Sequence, residues 1–279
     1  HNMQFSSANS INWGRLLPQI VYYFKAYADL VRSGRIRVGD KVHFCVPTGN
    51  FGDILAGYFA KRMGLPVGRL ICASNRNDVL TDFLSTGVYD KRRTFYKTTS
   101  PSMDILVSSN LERLLSLLTG DDAYVSGLMK DLNEVGHYKV TDELLQKLQA
   151  EFSCGCCDDD AAARTIGRVW AQEKYLCDPH TAVAWTVADQ FIHMHRDGVP
   201  VVVLSTASPY KFPTAVLSAL GQRVADDEFA VMEDLRACTG VPVPKNLASL
   251  RQKPVRHTDV IDREDMLDYV LQKAGEAQW

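Results

Sequence analysis

Apolar residues Val42, Phe44 and Val46 alternate up to a pair of glycines, Gly49 and Gly52. Beyond them the apolar positions Ile54, Leu55 and Phe59 recur at helical spacing. A period near two followed by one near 3.6 predicts a strand over Val42–Val46, a glycine turn, and a helix from Asp53 to Met63. Further strands are predicted at Arg69–Ala73 and Val201–Leu204, the second an unbroken apolar run of the kind a buried parallel strand shows. Helical spacing marks Asn12–Ser33, Val79–Ser85, Leu111–Leu118, Asp142–Phe152, Ala161–Leu176, Thr181–His195, Phe229–Cys238 and Asp262–Gln272. The proline-broken stretch 241–257 is expected on the surface. The pattern is that of an α/β protein, an open and mostly parallel sheet flanked by helices, without repeats or low-complexity tracts.

Composition narrows the function classes. At 279 residues the chain can bury a sizeable core, and its net charge of -2 leaves no basic footprint for nucleic acid. No apolar stretch approaches membrane-spanning length, and no signal peptide is recognised, so a cytoplasmic protein with no membrane partner is expected. The seven cysteines lack a disulfide-framework spacing, which fits a reducing compartment. Cys45 and Cys72 fall in strand-like runs and are expected in the core. Cys154, Cys156 and Cys157 could mark a metal or redox site, but no second ligand pair accompanies them; a loop carrying unrelated thiols is the preferred reading. The acidic run Asp158–Asp160 is expected to start a solvated helix.

The candidate chemistry sits in three segments. Strand, glycine turn and helix together present free backbone N–H groups to a phosphate, and glycine permits close approach and positive φ. The loop at Gly49–Asp53 is neither a Walker A motif nor a GxGxxG fingerprint, and alone it serves equally well as a tight strand–helix turn. Upstream, Asn9, Ser10 and Asn12 precede the first helix, with Arg15 one turn in. Capping explains one of these polar residues; a second asparagine, a serine and a guanidinium fork suited to phosphate or carboxylate remain. Ser205 and Thr206 close the third strand, where open α/β sheets bind ligands, although they could equally cap the next helix.

Other polar residues have readings that stay open. Asn75, Arg76 and Asn77 could line a site or form a strand-end turn, and His180 could face a substrate while Asp178 and Thr181 begin a helix. Ser109 and Glu112 have capping-box spacing, which makes that serine-rich turn structural. His193 and His195 are expected to be exposed, and no GxSxG elbow is present.

Taken together, SSANSINWGRLLPQIVYY, TGNFGD, the NRND of Asn75–Asp78, DPHTA and STASPYKFP resemble the threonine synthases, pyridoxal-phosphate enzymes of fold type II in the tryptophan synthase β family. The likeness runs nearly end to end, and the motifs follow the family's order. It implies that backbone N–H groups of Gly49, Asn50, Phe51, Gly52 and Asp53 hold the phosphate of pyridoxal 5'-phosphate. It further implies that Thr206, or Ser205 beside it, faces the pyridine nitrogen, and that Asn9, Ser10, Arg15 and the Asn50 side chain bind the phosphate of O-phosphohomoserine. The implied reaction is a β,γ-replacement giving threonine and phosphate.

Two family features find no match here. The cofactor lysine belongs to a phenylalanine-lysine-aspartate context upstream of Asn9, and Lys25, Lys41 and Lys211 lack it. The SGDTG-like substrate-carboxylate loop has no counterpart either. The resemblance thus implies a fold type II large domain incomplete at its N-terminal side: residues 1–3 a tag remnant, residues 4–279 the carboxyl-terminal portion of the catalytic region. The missing N-terminal segment would be its partner, and no residue here would be the Schiff-base lysine, so the chain alone would be inactive. Two alternatives remain: a threonine synthase-like phospho-lyase acting on another phosphorylated amino alcohol, and a non-catalytic phosphometabolite-binding protein.

Overall fold

A computed structural model describes residues 6–276; the tag expectation at residues 1–3 lies outside them. The strands are β1 (Val42–Pro47), β2 (Val67–Ser74), β3 (Val88–Asp90), β4 (His137–Lys139), β5 (Phe152–Cys156) and β6 (Val201–Val203). Four of them form a parallel sheet in the order β5-β2-β1-β6, and β3 pairs with β4 in a separate antiparallel ribbon. The helices are α1 (Trp13–Leu16), α2 (Ile20–Arg32), α3 (Gly52–Arg62), α4 (Val79–Thr86), α5 (Leu111–Thr119), α6 (Asp122–Glu134) and α7 (Asp142–Glu151). They continue with α8 (Asp159–Glu173), α9 (Pro179–His195), α10 (Pro213–Ala219), α11 (Glu228–Thr239), α12 (Lys245–Ala248) and α13 (Met266–Glu276).

Period-two alternation divides the core between the two faces of the sheet. Phe44, Val46, Leu70 and Cys72 point to the face covered by α2, α3 and α4. Cys45, Ile71 and Ala73 point to the opposite face, where α9 lies across the sheet with α8, α10 and α11 behind it. α9 is enclosed on several sides over residues 179–188, where Ala182, Val183, Ala184, Val187 and Ala188 are buried, whereas its last two turns bury only Phe191.

The strand order places the site. From β1 the chain moves outward through β2 to β5, with α3 on one face, and then returns behind α9 to set β6 on the other side of β1. The crevice beyond the carboxyl ends of β1 and β6 is therefore a topological switch point, where open α/β sheets take ligands.

Four expectations are corrected. The first helix is broken by a 3-10 turn at Leu17–Gln19, where Pro18 lacks a backbone N–H to donate. The helix expected to reach Phe152 stops at Glu151, and Phe152 opens β5. Cys154 and Cys156 thus sit on a sheet-edge strand, paired with Cys72 and Ser74, and not in a loop. Finally, α6 and the β3–β4 ribbon were not anticipated. Among the described residues no group of three or more His, Cys, Asp or Glu is placed to hold a metal, and all seven cysteines are free thiols. Burial pushes the Cys72 thiol up to about 12 and raises Cys154 and Cys157 as well, so these are packing groups and not ready thiolates.

Candidate active site

β1 delivers the glycine loop to the switch point. Just past the strand, the Thr48 N–H donates to Ala73 O at 2.8 Å, and Thr48 Oγ1 donates to Val46 O at 2.7 Å. The left-handed residue of the loop is Phe51, at φ 61°, and not one of the glycines as expected. Phe51 can hold this conformation because its ring is buried in the core, 5.6 Å from that of Phe152. Gly49 is needed for space: a Cβ there would lie 2.7 Å from Ser102 O and 3.2 Å from Met103 Cα, both backbone atoms. At Gly52 an added Cβ would meet only Asn110 Nδ2, at 3.6 Å.

The carbonyls of the loop are taken by a neighbouring turn. Ser108 Oγ donates to Gly49 O at 2.9 Å. The backbone N–H and Nδ2 of Asn110 both donate to Asn50 O, at 3.2 and 2.9 Å. The N–H groups of Asn50, Phe51, Gly52 and Asp53, in contrast, have no acceptor among the described residues. They belong to the unfilled first turn of α3, the arrangement that suits a phosphate.

The N-terminal turn approaches the same place. Asn12 caps α1, its Oδ1 accepting from Gly14 N at 2.8 Å, while Asn9 Oδ1 accepts from Ile11 N at 3.0 Å. Ser10 Oγ lies 3.0 Å from Ser109 Oγ, which in turn donates to Asn50 Oδ1 at 3.3 Å. Exposed Arg15 donates to Ala8 O at 2.9 Å. Ser109 therefore does not act as the cap of a capping box; its hydroxyl joins the two loops.

From the other side come the end of β6 and the start of α9. Ser205 Oγ accepts from the Tyr175 hydroxyl at 2.9 Å, and exposed Thr206 lines the crevice. Asp178 caps α9 and accepts from His180 Nδ1 at 2.7 Å, which leaves Nε2 of His180 to accept from Ser102 N at 3.1 Å. His180 thus begins a helix and also borders the cavity. Asn75 and Asn77 are buried, and both donate to Asp104 Oδ1, at 2.8 and 2.9 Å. They hold the 98–104 segment in place and do not line the cavity.

These elements enclose about 690 Å³ bordered by Ser10, Arg15, residues 49–53 and Thr206. Asn9 is outside the lining. A cavity of equal volume beside Arg223 and Asp234 has no comparable donor set. Arg15 and Lys211 border the first cavity, and neither has a carboxylate within ion-pair distance among the described residues. The acid beside them is Asp53, half-buried and held by the Tyr23 hydroxyl, which donates to its carbonyl at 2.7 Å and to Oδ1 at 3.2 Å. Burial raises its carboxyl to about 6, against the lowering effect of Tyr23. Four free amides and two cations with no ion-pair partner among the described residues make this cavity receptive to anions. The glycine loop fits a phosphate group.

Residues 181–270 match the family profile described as "Threonine synthase, C-terminal". A crystal structure of pyridoxal-phosphate-bound threonine synthase from Brucella melitensis is 40% identical, covers 98% of this chain and superposes with a TM-score of 0.82. This chain belongs to the threonine synthase family. Yeast threonine synthase superposes at 0.84 with 32% identity, covering 99% of this chain and 55% of that one. A human protein named threonine synthase-like 1 is 48% identical over 217 residues, 77% of this chain and 29% of that protein. Threonine synthase of Pseudomonas aeruginosa is 44% identical over 221 residues, 78% of this chain and 45% of its own length. The chain thus spans between roughly a third and half of the curated relatives it matches. The fold type II architecture expected from the sequence is the one seen, and no helix among the described residues is long and apolar enough to cross a membrane.

Of the residues the threonine synthase motifs pointed to, Gly49–Asp53, Ser10, Arg15 and Thr206 border one cavity. Ser108 and Asn110 were missed. Their signal was the polar cluster Ser108-Ser109-Asn110 directly before an apolar helix, which capping alone does not require.

Proposed function

We propose that this chain is the carboxyl-terminal portion of a pyridoxal-phosphate-dependent threonine synthase, acting on O-phospho-L-homoserine and water to give L-threonine and phosphate. The observation that carries this reading is the row of free amides from Asn50 to Asp53, set at the switch point opposite the Thr206 hydroxyl. Those amides would hold the cofactor phosphate, favoured by the α3 dipole. Thr206, free of the bond that engages Ser205, would face the pyridine nitrogen as a neutral partner. Pyridoxal phosphate, when bound, supplies the electron sink for proton removal next to the amine-bearing carbon. Arg15, with Ser10 and the Asn50 side chain, would orient the substrate phosphate and offset its charge as it leaves, whereas Asn9, outside the lining, would only shape the turn that carries them.

The Schiff-base lysine and the substrate-carboxylate loop are assigned to a segment outside these residues, packed against this portion in a cytoplasmic enzyme. Support comes from Leu17, Val21 and Tyr22, which leave apolar surface exposed near the cavity, and from β6, which among the described residues bonds to a strand on one side only. A second reading, a phospho-lyase acting on another phosphorylated amino alcohol, draws support from the 48% identity to threonine synthase-like 1.

Spectral titration with pyridoxal phosphate, followed by borohydride reduction and intact mass, tests the proposal. The expected result is phosphate-competed binding without a covalent adduct. An adduct on Lys211, which borders the cavity, would show that the lysine is here; absence of binding would remove the half-site reading. Product analysis of the complete protein, threonine against a keto acid, separates the two activities.

A further inference from the structure

Two segments that contact different anions in the proposed reading, residues 49–53 and residues 9–15, converge on one turn. Asn110 is fully buried, and its Nδ2 reaches Asn50 O at 2.9 Å and Ser10 O at 3.2 Å. Its Oδ1 accepts from Arg113 at 3.0 Å, and the same guanidinium donates to Ile11 O. Ser108, also buried, holds Gly49 O at 2.9 Å.

A trans peptide unit is planar, so its C=O and the N–H that follows point in opposite directions. Fixing the Gly49 carbonyl on Ser108 turns the Asn50 N–H away from that turn. Fixing the Asn50 carbonyl on Asn110 does the same for the Phe51 N–H. Without these bonds either peptide could rotate and present a carbonyl, a repulsive group, to an incoming phosphate. A phosphate site works by having its donors aimed before the ligand arrives.

We propose that Ser108 and Asn110 are positioning residues: they aim the amides of the glycine loop into the cavity and, through Asn110, tie that loop to the 9–15 turn so that both anion-binding segments move as one unit. This rests on the reading of residues 49–53 as a phosphate cradle. Neither residue touches the ligand. Asn110 spans both segments and Ser108 only one, so the effects of replacing them differ in kind.

The test uses the whole chain and two probes. In the ligand-free protein, backbone amide resonances are compared between wild type and variants. Asn110→Ala is expected to move the amides of residues 9–12 and 50–52 together, whereas Ser108→Ala moves those of 49–51 and leaves 9–12 in place. With pyridoxal phosphate as ligand, Ser108→Ala is expected to weaken binding about 10-fold, the loss of one buried hydrogen bond, and Asn110→Ala more. Ser108→Thr keeps the hydroxyl donor and is expected to restore affinity to within about 2-fold of wild type. Amide changes confined to 108–111, or equal affinities for Ser108→Ala and wild type, overturn the proposal. If the wild-type chain binds no pyridoxal phosphate, the functional reading fails, and the ligand-free resonances still decide whether the two segments are tied.

Discussion

The loop at 49–53 and the turn at 9–15 border the same cavity but are built in different ways. The loop is fixed from behind: Ser108 and Asn110 hold its carbonyls, the Phe51 ring is locked in the core, and Ser102 leaves no room for a side chain at Gly49. The turn combines its own asparagine bonds at Asn9 and Asn12 with ties from Ser109, Asn110 and Arg113, and Arg15 projects from it into solvent. The loop is a rigid cradle whose donors cannot easily turn away; the turn is anchored at its base but offers an exposed guanidinium. A rigid site gains affinity because little order is lost on binding, and an open one admits and releases ligand. In the proposed reading, that difference suits a cofactor that stays and a phosphate that leaves.

Breaking the cradle should have the largest effect. Gly49→Val drives a side chain into the Ser102 carbonyl, so pyridoxal-phosphate affinity should fall by more than about 100-fold, with a stability loss of about 1–3 kcal/mol in thermal melts. Unchanged affinity would mean that the loop does not hold phosphate. Arg15→Ala should weaken inorganic-phosphate binding about 10-fold and leave the melting temperature unchanged, because among the described residues this exposed side chain bonds only the Ala8 carbonyl. A comparable fall in melting temperature would make Arg15 structural and erase the contrast.

Asp53 gives the cradle a pH signature. Its carboxyl is raised from its ordinary value to about 6, so the folded state binds the proton more tightly than the unfolded chain. Stability should therefore decline as pH rises from about 4 through about 6 and level off above, by up to about 3 kcal/mol. Asp53→Asn keeps the Oδ1 acceptor for Tyr23 and should flatten that slope in denaturant titrations. A variant with the wild-type slope would place the titrating group elsewhere.

The smallest expected effects lie at the rim. Thr206→Ala should change the absorbance of bound cofactor and cost a few-fold in affinity, whereas Ser205→Ala, whose hydroxyl is engaged by Tyr175, should leave the spectrum alone. The reverse outcome would exchange their roles. Asn9→Ala should leave phosphate affinity within about 2-fold, since Asn9 does not border the cavity.

Much of this arrangement is legible in the residues themselves. β1, β2 and β6 announce themselves through apolar runs, which are buried in β1 and most of β2 and half-buried in β6. β5 does not: Phe152-Ser-Cys-Gly-Cys carries one large apolar side chain and directly follows the Leu144–Leu148 helical spacing, so local pattern extends the helix while pairing with β2 makes a strand. α6 does carry its signal, with Asp121 as cap and Val125, Leu128 and Leu132 buried on one side, but polar residues dilute the stripe. At the site, motifs marked the residues that border the cavity, whereas Ser108 and Asn110 act from about 60 positions away through backbone carbonyls, a relation that no local spacing records.

Phe51 meets two demands that normally fall on different residues. The backbone at φ 61° favours glycine, by about 1–2 kcal/mol over a side chain with a Cβ, while the core beneath wants the full ring. Phe51→Gly would relieve the backbone and open a cavity costing about 3–5 kcal/mol; a β-branched replacement would worsen the backbone without filling the space. The position therefore has almost no tolerable single-step neighbours. Drift there would have to be prepared elsewhere, by changes at Phe152 or Tyr58 that reshape the hole before the ring can leave it. In an evolving population the loop would be held in place by the inaccessibility of its alternatives as well as by any ligand it holds.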